Sequence, residues 1–186
     1  MISLANAQIS AQVASLVVYG LLAIWFAAPF LRALGRAEAL IAAISVHIFR
    51  YVTLMTFSAK HDGYPISDIA AIEAVFGDVI GAAIAVVAIG FLHTRWYRLG
   101  IASSWLLVFA TAADFAVGIH RKAQEPLWGA ASGLTWFVLN FYVPLIMVSL
   151  PVLIWQLCAR YDEPFNSNGS SQRRSWTGYI TQTHSD

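Results

Sequence analysis

Long apolar runs separated by short polar segments account for nearly the whole chain. The runs cover about residues 13–31, 39–58, 69–92, 100–119 and 134–157. Each approaches or exceeds the ~20 apolar residues that a helix needs to cross a ~30 Å hydrocarbon core. The breaks carry turn and helix-start signals. In AKHDGYPISD, Gly63 and Pro65 mark a turn, and Ser67 or Asp68 is placed to cap the next helix. In HTRWYRLG, Trp96 and Tyr97 suit a membrane interface. Residues 1–12 lack the basic start of a secretory signal, so the first run is expected to be retained. Pro29 is expected to kink its far end. The stretch Leu127–Cys158 is too long for one upright span. Either Leu127–Gly133 lies in the interface, or the helix tilts and kinks at Pro144 and Pro151. From Arg160 the chain is rich in Ser, Asn and Gly and reads as a disordered tail. The predicted fold class is all-α: a polytopic membrane protein whose five-transmembrane-helix bundle occupies residues 1–159, with a cytoplasmic tail over 160–186.

Composition sharpens this picture. The 186 residues are 59% hydrophobic and 11% charged, against about 25% charged in soluble domains. A net charge of +1 with no basic stripe excludes nucleic acid as a partner. The single cysteine, Cys158, excludes an intramolecular disulfide and metal sites built on several cysteines. Arg32, Arg36, Arg95, Arg98, Arg160, Arg173 and Arg174 fall on one side, while Lys60, Arg121 and Lys122 fall on the other. The positive-inside rule then puts the N-terminus outside and the C-terminus in the cytoplasm. Low charge, many alanines and short loops suit a bacterial inner membrane.

The chemistry concentrates where hydrocarbon disfavours it. The second run carries His47 and Arg50 within SVHIFRYVTLMTFS, the third Glu73 and Asp78, the fourth Asp114. An arginine at mid-bilayer costs roughly 2.5–3.5 kcal/mol on insertion scales, so a partner is required. At 1.5 Å rise per residue, Arg50 stands roughly 17 Å and His47 roughly 12 Å above the start of their run. On the same reckoning Asp78 stands at roughly 16 Å, Asp114 at roughly 21 Å and Glu73 at roughly 24 Å, with errors of about one turn. Arg50, Asp78 and Asp114 therefore share one layer. Asn140 and Tyr142 of the last run fall at or slightly above it, and Glu73 lies near water. His47 and Arg50, three apart, share a helix face. Gly77, Gly81 and Ala85 recur every four residues and let another backbone approach closely. One guanidinium balances one aspartate, so the layer is expected to hold a titratable proton, on the second carboxylate or on His47.

Three functions fit these residues. The leading one is binding or conduction of a small solute or protons at this layer. Arg50 would hold an anionic group or neutralise Asp78, Asp114 would carry the proton, and His47 would tune it. His61, Asp62 and His120 would form an outer gate. Transport by five helices implies a homo-oligomer, with Gly77–Gly81 as the contact, or association with other membrane subunits. The alternative is a non-catalytic accessory subunit, which a lipid-facing Arg50 would favour. The third is an intramembrane enzyme acting on a lipid-like substrate, with Asp78 or Asp114 as acid or base and His47 as its partner. An apolar cavity beside the layer would favour it. No cofactor is expected: a haem held by two imidazoles needs a second histidine at the depth of His47, and His93 and His120 sit at opposite surfaces. No metal is expected either, because His61, Asp62 and His120 lack a ligand spacing.

Overall fold

A computed structural model describes residues 3–124, 127 and 129–165. It is all-α, with five helices each long and apolar enough to cross a membrane: α1 (Leu4–Ala33), α2 (Arg36–His61), α3 (Asp68–His93), α4 (Tyr97–Gln124) and α5 (Gly133–Ala159). Helix α3 packs between α2 and α4, α5 packs on α2 and touches α4, and α1 lies outside against α5. The tail was expected from Arg160; its residues 160–165 are described, and 166–186 lie outside the described residues.

Local chemistry explains the helix ends. Ser67 rather than Asp68 caps α3, accepting from the Ala70 amide at 3.2 Å. Asp68 opens the helix, where its charge suits the dipole, and pairs with Lys60. The turn into α4 closes with Arg95 in the left-handed region (φ 66°), while the Trp96 amide donates to the Phe91 carbonyl at 2.9 Å.

Helix α1 starts well before the expected residue 13, because its polar residues find partners. Ser3 accepts from the Asn6 amide at 3.2 Å. Buried Gln8 accepts from the Gly129 amide at 2.7 Å, and Gln12 donates to the Leu139 carbonyl at 3.0 Å. Gly129 has φ 78°, and a Cβ there would meet the Ala5 amide nitrogen at 2.7 Å. The position therefore needs glycine on both counts.

The prolines act through π turns. Ala23–Ala27 precedes Pro29, and Val138–Tyr142 precedes Pro144. Proline lacks an amide hydrogen and its ring collides with the carbonyl four residues back, and a wider turn accommodates both effects. Pro151 sits inside regular α-helix.

The two halves of the bundle differ. Leu40, Ile44, Ala85, Leu92, Leu107 and Leu153 form a solid apolar core in the half that contains the α1–α2 and α3–α4 turns. Arg160 ties that end together. Its guanidinium donates to the Leu31 and Leu34 carbonyls, which the end of α1 leaves unsatisfied, at 3.1 and 3.0 Å, and to Glu163. Buried Arg36 donates to the Tyr161 and Glu163 carbonyls and lies over the Phe165 ring, which stacks on Tyr97. Replacing Arg160 by alanine is expected to cost about 1–3 kcal/mol, the usual effect of stranding carbonyls that a charged donor satisfies. Thermal unfolding in detergent checks this, with the exposed Arg98→Ala as a control expected to stay within about 0.5 kcal/mol of the parent.

Candidate functional site

Arg50 lies in a short 3-10 stretch of α2, Phe49–Leu54, which follows regular α-helix ending at Ile48. The Thr53 hydroxyl, one tight turn on, donates to the Arg50 carbonyl at 2.8 Å. The Arg50 side chain crosses between α3 and α4. Its Nε donates to Asp78 Oδ1 at 2.6 Å, its Nη1 to the Thr111 hydroxyl at 2.6 Å, and its Nη2 to Asp114 Oδ2 at 2.5 Å. Arg50 is 1% exposed and each aspartate 18%. The two carboxylates thus reach open space that the guanidinium does not.

The glycines of α3 make room for this group. A Cβ on Gly81 would stand 2.8 Å from Arg50 Nη1 and 2.9 Å from its Cζ, and one on Gly77 would collide with the Asp114 carboxylate. The small-residue face is therefore filled by the chain's own charged side chains. This overturns Gly77–Gly81 as the contact between copies.

Above the layer, away from the solid core, lies a cavity of about 600 Å³. Asp78 and Asp114 reach its inner end, and Leu16, Ile66, Phe115, Leu139, Val143 and Met147 contribute apolar walls. Glu73 and Arg121 also line it, joined by two hydrogen bonds of 2.7 Å. Glu73, placed near water by its depth, thus has a protein partner.

The other expected site residues divide. Tyr142 lines the cavity and donates to the Val46 carbonyl at 3.2 Å. Asn140 is buried, with its amide group bonded to the Trp136 carbonyl at 2.7 Å. His47 does not join the Arg50 group by a hydrogen bond: its Nε2 meets the Ser149 hydroxyl of α5 at 3.1 Å. The expected common face fails because the side chains diverge, Arg50 towards α3 and α4 and His47 towards α5. His61 and Asp62 are exposed and only 3.5 Å apart, and His120 is exposed beside Gln124. None of these three lines the cavity. Among the described residues, no group of three or more His, Cys, Asp and Glu is placed to share a metal ion.

Thr111, Thr53 and Arg121 were not anticipated. Thr111 was within reach of sequence reasoning, since it precedes Asp114 by three and shares its helix face. Arg121 was read as a loop charge, but α4 continues through it and turns it towards Glu73.

The fold and this site define a class: a five-helix bundle of membrane-spanning character, built around a buried arginine with two carboxylates. The chain belongs to the family described as domain of unknown function DUF8737, whose model matches residues 7–158. No curated protein and no solved structure matches it.

The charge count predicts an order of effects. Arg50→Met strands two carboxylates and is expected to cost about 3–5 kcal/mol. Asp78→Asn or Asp114→Asn each leaves one neutral ion pair and should cost less than about 1 kcal/mol. The triple variant Arg50→Met/Asp78→Asn/Asp114→Asn should recover most of the loss. Unfolding midpoints in detergent read this order, and equal losses for Arg50→Met and Asp114→Asn would contradict it. The glycine face gives a second test. Gly81→Leu is expected to cost about 1–3 kcal/mol through overpacking. Gly90→Leu, on the same helix with nothing within 4 Å of its Cβ, should be neutral or stabilising.

Proposed function

We propose that the protein binds a small solute in the cavity beside the Arg50 layer, where a proton or the solute supplies the positive charge that the layer lacks. The observation that carries this reading is the joining of an apolar chamber to two partly open carboxylates. Chambers of roughly 300–1,000 Å³ with apolar walls and few polar groups are typical of small-molecule sites. Burial of Arg50 removes the feature that would have favoured an accessory subunit. It also argues against an anionic ligand on the guanidinium, whose Nε, Nη1 and Nη2 are each engaged within the chain. Passage across the membrane would require the solid half to open, so transport would need a second state of the bundle. With the basic residues inside, the cavity half faces outward, in the cell inner membrane.

The cavity also favours a second reading, an enzyme acting on a lipid-like substrate with Asp78 or Asp114 as acid or base. His47 then serves less well as their partner, since its hydrogen bond is to Ser149.

The neutral fluorophore N-phenyl-1-naphthylamine tests the binding reading. With protein in lipid nanodiscs, saturable uptake near one probe per chain is expected. Ala74→Trp and Gly118→Trp, both at cavity-lining positions, should reduce it by about tenfold or more. Uptake equal to that of empty nanodiscs overturns the proposal. Lipid recovered chemically altered from the wild type, but not from Asp114→Asn, moves the assignment to the enzyme.

A further inference from the structure

We propose that the ligand is a hydrophobic organic cation, an alkyl- or arylammonium, whose charged end completes the Arg50 layer and whose body fills the chamber. The inference rests on the binding reading above and adds the sign and chemical class of the ligand.

Charge sets the sign. The layer contains one guanidinium and two carboxylates. The guanidinium is turned away from the chamber, and its Nε, Nη1 and Nη2 bond to Asp78, Thr111 and Asp114. The carboxylates reach the chamber, and each keeps a second oxygen that Arg50 does not bind. Arg121, a basic residue that does line the chamber, is held by Glu73 in a two-bond pair, so it brings no surplus positive charge. A ligand thus meets net negative charge at the inner end. An anion or a second carboxylate there is repelled, and a cation is drawn in at low dielectric.

The walls set the class. A bare metal ion needs several oxygens around it, whereas the inner end offers two carboxylates with Tyr142 nearby, and most of the chamber is apolar. That division suits a molecule with one charged end and an apolar remainder. Phe115 and Tyr142 line the chamber, and aromatic faces favour ammonium groups further. Asp78 stands on α3, Asp114 on α4 and Tyr142 on α5. An ammonium between them bonds to three helices that the bundle already holds in place.

Displacement of N-phenyl-1-naphthylamine by an isosteric series decides the point. 4-Phenylbutylammonium, 4-phenylbutanol and 4-phenylbutyrate share one body and differ in the end group. On wild-type protein in nanodiscs the ammonium should displace the probe at about tenfold lower concentration than the alcohol, with the carboxylate weakest. Asp114→Asn should bring the ammonium and the alcohol within about threefold of each other. The wild-type ranking stands without any variant. Equal potency of ammonium and alcohol, or a stronger carboxylate, overturns the cation while leaving the binding site intact. Absence of saturable probe uptake overturns the binding site itself, and the cation with it.

Discussion

A guanidinium buried among helices needs hydrogen-bond partners, and the helices around Arg50 are arranged to supply them. Arg50 draws one partner from α3 and two from α4. To reach them its side chain must lie against the backbone of α3, which is why Gly81 stands where a methyl group would touch the guanidinium. The same requirement explains Gly77 beneath Asp114. The 3-10 stretch at Phe49–Leu54 belongs to the same arrangement, since it sets the direction in which Arg50 leaves α2. A small-residue stripe that elsewhere would bring two backbones together here makes room for charged side chains.

That layer divides the bundle. On one side leucine, isoleucine and alanine from α2, α3, α4 and α5 close the interior. On the other side the helices leave a chamber, lined in part by Gln12 and Leu16 of α1. The Gln12 bond to Leu139 falls within the π turn of α5, where the wider winding ahead of Pro144 disturbs the ordinary ladder of hydrogen bonds. The irregular backbone, the chamber and the peripheral helix are therefore one structural unit.

Much of this was legible in the sequence, because lipid punishes polar residues and so makes them conspicuous. Run lengths gave the helices, and the rise per residue placed Arg50, Asp78 and Asp114 in one layer. Depth arithmetic is insensitive to small errors, so it survived the 3-10 and π turns. Direction around a helix is not. His47 and Arg50 were placed on one face, yet their side chains part towards different helices. The start of α1 was missed because Gln8 and Gln12 look like solvent residues until Gly129 and Leu139 are seen beside them. The chamber left no trace in the sequence, since the same apolar residues line lipid, core and cavity alike.

The second aspartate is the residue on which the proposal of a binding site, rather than a packing device, turns. If Arg50 served only to lock α2 to its neighbours, one carboxylate and the hydroxyl of Thr111 would suffice, and the layer would be neutral. A buried ion pair that merely fixes packing has no use for surplus charge, which destabilises it. Here the surplus is not sealed in. Arg50 is 1% exposed while both carboxylates remain 18% exposed, on the side where the chamber lies. Charge held open to a cavity, with its counter-charge held shut behind it, is the arrangement that the proposed site for a positive group requires.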